Sequence, residues 1–294
     1  MTDPATDITV RPINREILGM DGGNNLISQI IPSIAIVNPH SFRFGVLNNA
    51  LTFSSVSPST ARLGIFAAKK GSDQRAVILM LPSAGTPTRL MICITQEFEQ
   101  ANADIQSLGW TDPLSPAFVN FCILKHVVNR WGAQILAATS EMALLYIVRA
   151  RSVGHELGPF AKDGPFVKEV LTQIVSLTAN AFSFDHVEAF TYSSGVDEFN
   201  IFIPAVASFL NIAAVYGIDP AQAVPVVKPG NALRRQYLSG ETGGPVAGFE
   251  FLGVNSWVNE WNFTPEVRTD HTFRHNYLHN RVMPLYVLNL ALST

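Results

Sequence analysis

Two adjacent serines, Ser193 and Ser194, stand in "TYSSG", between a β-like run, "HVEAFTY", and a long apolar stretch. A serine becomes a nucleophile when a histidine takes its proton and a carboxylate orients that histidine. One turn that presents such a serine is a sharp strand-to-helix elbow, written G-x-S-x-G, whose small flanking residues let the turn tighten without clashes. "TYSSG" keeps the serine and the second glycine, Gly195, and carries Thr191 where the first glycine would stand. This register makes Ser193 the nucleophile and aims the Ser194 backbone N–H at a developing oxyanion. The alternative is a polar cap where a strand hands over to a helix.

Partners for Ser193 follow in chain order. Asp219, in "YGIDPAQA", closes the run "NIAAVYGI", where a carboxylate would reach a histidine beyond the end of the strand. Asp-Pro is also a common turn starter. Near the C-terminus, "RTDHTFRHNYLHNRV" holds His271, His275 and His279 at i, i+4, i+8. His271 comes first, on a loop leading into the last segment, and is the candidate base. His275 and His279 read as a solvated helix face. A zinc site on His271 and His275 would want the glutamate of H-E-x-x-H, which is missing, so no metal is expected. "LPSAG", after the apolar run "VILML", offers Ser83 or Ala84 as the second oxyanion donor. Glu250, Glu260 and Asp270 remain alternative acids.

"GIDPA" resembles the G-[LI]-D-P-A of the pancreatic-lipase group of α/β-hydrolases, in which that aspartate is the catalytic acid. The resemblance covers about residues 76–290, with the degenerate elbow "TYSSG" as its second mark. It implies an α/β-hydrolase fold and a triad of Ser193, Asp219 and His271. The lipase group is secreted and disulfide-rich, whereas this chain has two cysteines, Cys93 and Cys122, both in apolar stretches. The fold and the triad are therefore carried over, and the triacylglycerol substrate is not.

The elements that must position these residues alternate along the chain. "RLGIFAAKKGSDQRAVILMLPSAG" reads as strand, turn and strand, with "VILML" apolar enough to be covered on both faces. "SPAFVNFCILKHVVNRWG" reads as a helix capped by Ser115, opened by Pro116 and closed by Gly132. "AQILAAT" reads as a strand, "SEMALLYIVRARSVG" as a helix and "GPFVKEVLTQIVSLTANAF" as a third, amphipathic helix. "HVEAFTY", an apolar helix and "IAAVYGI" follow. This order gives an α/β class: a mostly parallel sheet with helices on both faces, α/β-hydrolase-like, and a site beyond the carboxyl ends of the strands. Residues 1–60 read as an N-terminal arm or extra strands, and 61–294 as the α/β-hydrolase-like domain.

The 294 residues are 47% hydrophobic and only 15% charged, which excludes disorder and implies a large core. A net charge of −3 gives no footprint for nucleic acid. The uncharged run from Phe199 to Ile218 approaches a membrane span in length. Pro204, Asn200, Ser208 and Asn211 interrupt it, so it reads as a buried helix followed by a buried strand. The start, "MTDPATDITVRP", lacks the basic and apolar parts of a signal peptide, and a cytoplasmic location with reduced thiols is expected. Two functions stay open. One is a cofactor-free serine hydrolase (esterase, lipase or thioesterase) acting on a small ester or thioester with an apolar acyl group. The other is a non-catalytic relative that binds an apolar ligand or a partner chain. A homo-oligomer is compatible with either.

Overall fold

The computed structural model describes residues 8–13, 27–31, 41–44, 49–52, 59–94, 111–123, 141–150, 156–238 and 243–251. Its centre is a ten-stranded sheet. The strands are β1 (Ile8–Pro12), β2 (Ile27–Ile31), β5 (Ser59–Lys70), β6 (Asp73–Pro82), β7 (Arg89–Ile94), β8 (Met142–Ile147), β9 (His186–Tyr192), β10 (Ile212–Ile218), β11 (Leu233–Leu238) and β12 (Glu250–Phe251). Two more strands, β3 (Ser41–Phe44) and β4 (Asn49–Thr52), form a separate antiparallel pair. The order across the large sheet is β1-β5-β6-β8-β7-β9-β10-β11-β12, with β2 paired to β5 beside β1.

β5 and β6 form a long hairpin through Gly71, which takes a positive φ of 59° that glycine adopts without strain. β6 is antiparallel to both β5 and β8. From β8 to β12 every pairing is parallel. The sheet is mixed and mostly parallel, as the alternation of elements implies. Its middle strands read as unbroken apolar runs because both of their faces are covered. All six residues of β8 and the last eight of β6 are buried.

Three α-helices lie among the described residues: α1 (Pro116–Cys122), α2 (Gly164–Leu177) and α3 (Gly195–Val206). Asp163 caps α2 by accepting from the Phe166 N–H at 2.9 Å, and Lys70 pairs with the same carboxylate. Pro116 opens α1 as expected, although the Ser115 side chain makes no cap hydrogen bond. α2 and α3 cover one face of the sheet, where Phe166, Val170, Ile174, Phe199, Phe202 and Val206 close over Leu79, Ile92, Leu145, Ala189 and Val215. The two helices cross closely at Gly164, where a Cβ would overlap the Ala205 carbonyl and the Phe209 ring. The opposite face is as dry: Met80, Met91, Cys93, Leu144, Tyr146 and Tyr216 are all at most 1% exposed.

One expected element changes type. "MALLYI" was expected to be helical and is the strand β8. Met, Ala and Leu favour helices, but a uniformly apolar run carries no period, and burial on both faces decides for the strand. The run from Phe199 to Ile218 divides as expected, into the end of α3 and the strand β10. Among the described residues no helix is long and apolar enough to cross a membrane. Cys93 and Cys122 are buried and are not joined in a disulfide.

Candidate active site

β9 and β10 run parallel and in register, with Thr191 beside Gly217 and Tyr192 beside Ile218. The next residues, Ser193 and Asp219, therefore leave the sheet side by side at its carboxyl end. Backbone hydrogen bonds join them. The Ser193 N–H donates to the Ile218 carbonyl at 3.1 Å, and the Ala221 N–H donates to the Ser193 carbonyl at 3.0 Å. The Asp219 N–H donates to the Tyr237 carbonyl of β11 at 2.9 Å. Each turn is thus fixed by its neighbour as well as by its own strand.

The backbone is strained where the two meet. Ser193 has φ 53° and Asp219 has φ 42°, and Gln222 and Ala223 follow at 56° and 53°. Positive φ disfavours residues with a Cβ, and such residues gather where a site over-determines the chain. Ser193 makes the abrupt change from β9 to α3, and both Ser193 and Asp219 are partly exposed. Ser194 stands at the N-cap position of α3, where the helix dipole and the first N–H groups favour negative charge.

A glycine makes room for the chain that follows Asp219. Gly217 faces Val226, and a Cβ there would stand 2.8 Å from the Val226 Cγ1. Thr191, where the elbow pattern has glycine, is fully buried, and its hydroxyl has no hydrogen-bond partner among the described residues. Behind the elbow, Glu198 is buried on the first turn of α3. Its charge, with those of Asp73 and Glu156, partly offsets the burial that lowers the pKa of Arg75. The Arg75 guanidinium packs on Gly158, whose hypothetical Cβ would lie 2.6 Å from Cζ. Nε donates to the Glu156 carbonyl at 2.9 Å.

Ser83 and Ala84 are not at this site. β6 runs against β8, and β8 is parallel to β7 and β9, so "LPSAG" leaves the sheet at the end where β9 begins. Arg62 holds the loop there, donating to the carbonyls of Pro82 (2.9 Å) and Gly85 (2.8 Å), and the Ser183 N–H donates to the Pro87 carbonyl. The sequence shows that a strand precedes this loop but not that the strand is reversed. The strand that ends beside Ser193 is β7, whose Ile94 pairs with Thr191. Residues 95–110, which follow Ile94, lie outside the described set. So do His271, His275, His279, Glu260 and Asp270. Glu250 is half-buried on β12 beside Tyr237, and burial raises its carboxyl pKa while Arg235 pulls it back. Among the described residues no cluster of metal-ligating side chains occurs.

Two polar features were not expected. Glu188, 1% exposed on β9, accepts from Arg89 Nε (2.8 Å) and the Tyr216 hydroxyl (2.7 Å), with His186 Nε2 at 3.2 Å. Burial, then the charge and hydrogen bond of Glu188, raise the Tyr216 pKa well above its usual value. A surface depression of about 430 Å³ lies between the start of β10 and the turn before β11, lined by Leu210, Asn211, Ile212, Pro229, Gly230 and Asn231. It opens at the end of the sheet away from Ser193.

No family model and no curated protein matches the chain. Among solved structures it is similar to an S-formylglutathione hydrolase from Agrobacterium tumefaciens, at 9% identity and TM-score 0.33, over 54% of this chain and 58% of that one. It is also similar to the rice cell wall degrading esterase LipA from Xanthomonas oryzae, at 12% identity and TM-score 0.36, over 67% and 50%. Two fungal esterases from Rhizomucor miehei were solved together, and the match there is 12% identical with TM-score 0.33, over 55% and 44%. In each case the chain spans about half the length of the protein it matches. The functional reading therefore rests on the geometry of the chain itself.

Proposed function

We propose that the protein is a serine hydrolase of the α/β-hydrolase kind, cleaving an ester or thioester with an apolar acyl group. The observation that carries this reading is the pairing of two strained residues: Ser193 at φ 53° between β9 and α3, next to Asp219 at φ 42° beyond β10. A polar helix cap needs no positive φ. A nucleophile that must stand clear of the sheet does.

In this mechanism Ser193 Oγ attacks the acyl carbon as its proton passes to His271, and Asp219 orients the imidazole and stabilises its charged form. The Ser194 N–H and the start of α3 hold the oxyanion. Collapse of the tetrahedral intermediate breaks the bond to the alcohol or thiol, which takes the proton from His271. Water then repeats the sequence on the acyl-enzyme.

A fluorophosphonate probe tests the proposal, because it labels activated serines only. Ser193→Ala should abolish labelling and esterase activity. Ser194→Ala should retain labelling, since its backbone N–H survives. Labelling that persists in Ser193→Ala and vanishes in Ser194→Ala would shift the register by one residue. An unlabelled wild-type protein would support the non-catalytic reading, which draws on Thr191 where the elbow pattern has glycine.

A further inference from the structure

The segment after Asp219 is held at both ends. At its near end the Ala221 N–H donates to the Ser193 carbonyl, as described above. At its far end Asn200, on the second turn of α3, spans Val226: Nδ2 donates to the Pro225 carbonyl at 3.0 Å, and Oδ1 accepts from the Val227 N–H at 2.7 Å. The Val226 N–H donates to Gln236 Oε1 at 2.7 Å, and the Val226 side chain fills the space left by Gly217. The path from Ser193 along α3 to Asn200, across to Pro225, and back through Asp219 to Ile218, whose carbonyl accepts from the Ser193 N–H, is a closed ring.

The stretch inside that ring contains three residues at positive φ, Asp219, Gln222 and Ala223. Strain of this kind persists only where the surroundings over-determine the chain. We infer that Asn200 is a positioning residue for the proposed reaction: its side-chain amide clamps the Asp219 loop to the nucleophile helix. The catalytic consequence rests on the hydrolase reading, and the clamp itself does not. An amide suits the place because it donates and accepts at once. Aspartate keeps only the acceptor, and leucine keeps neither. Asn200 is partly exposed, so its loss should loosen the loop without opening the core.

The test combines turnover with amide hydrogen exchange. On an activated aryl ester, Asn200→Leu should lower kcat about tenfold with KM unchanged, roughly the loss of two modest hydrogen bonds. Asn200→Asp should recover most of that, because it keeps the shorter bond to Val227. In an Asp219→Asn background, Asn200→Leu should have little further effect on the rate of fluorophosphonate labelling, since the group it positions is gone. The Ala221 amide should exchange about tenfold faster in Asn200→Leu, while that of Val170 on α2 keeps its wild-type rate. Unchanged kcat, or an equal fall in both backgrounds, overturns the positioning role. Unchanged exchange at Ala221 overturns the clamp whether or not the protein is a hydrolase. Absence of labelling in the wild type overturns the hydrolase reading and the catalytic role of Asn200 with it, and exchange at Ala221 then decides the clamp alone.

Discussion

A serine at φ 53° costs free energy that a glycine at the same place would not. We therefore expect Ser193→Gly to melt at a higher temperature, by on the order of 1 kcal/mol of added stability, while losing all probe labelling. A lower melting temperature would mean that the Ser193 side chain contributes more to stability than its strain costs. Asp219→Asn is expected to lower turnover by about 10⁴-fold, the cost of a triad carboxylate in the serine-protease case, with substrate binding little changed. If Asp219 only starts a turn, the same change would lower the melting temperature and leave turnover near normal. Thr191 can be isolated by Thr191→Val, which removes a buried hydroxyl and keeps the shape. Where a hydroxyl lacks a partner, its removal should be neutral or stabilising by about 1 kcal/mol. Marked destabilisation would reveal a partner for the hydroxyl.

At the scale of elements, the contact of α2 with α3 bears directly on the elbow, because α3 begins there. Gly164→Ala should destabilise by about 2–4 kcal/mol, since the added methyl meets a backbone oxygen and an aromatic ring that cannot both retreat. Gly243→Ala, where a Cβ would meet open space, is the control and should fall within about 0.5 kcal/mol of wild type. Urea denaturation of the two variants checks both values. The elements that sequence reasoning located are those with a period or a boundary. α2 has an amphipathic repeat and an Asp-Gly-Pro start, and β5 and β6 are separated by a polar turn at Gly71. β8 had neither signal, so its helix-favouring residues misled. The turns at Ser193 and Asp219 were legible because each closes a strand-like run. Ser83 and Ala84 were misplaced because strand direction is a property of pairing with distant residues, and so are the side-chain contacts of Asn200 and Gln236.

Across the whole molecule, the face of the sheet opposite α2 and α3 carries a charged group in dry surroundings. Glu188 is satisfied by Arg89, His186 and Tyr216 together. The Tyr216 pKa is raised in the folded state, so the folded protein keeps its phenolic proton at pH values where the unfolded chain loses it. The native state then binds more protons than the unfolded one, and stability falls as pH rises above the usual tyrosine value of about 10. Tyr216→Phe removes this linkage. It should cost about 1.5–3 kcal/mol at neutral pH, the size of a hydrogen bond to a charged group, and its stability should fall less than that of wild type between pH 10 and 12. Parallel curves for the two proteins would show that Tyr216 ionises as readily in the fold as outside it.

Cys93 is the penultimate residue of β7, which lies between β8 and β9; it has no exposed surface, and burial raises its thiol pKa. A thiol reagent needs both contact and a thiolate, so Cys93 is chemically silent while the centre of the sheet holds. The strand also joins two partners distant in sequence, so its pairings carry a loop-closure cost. Alkylation of Cys93 therefore serves as a built-in clock for the opening of the sheet centre, readable by mass in native buffer. Modification at high reagent concentration gives the opening rate, and at low concentration the opening equilibrium. A stabilising substitution at the elbow should leave that rate alone if the elbow opens on its own, and slow it if elbow and sheet come apart as one unit.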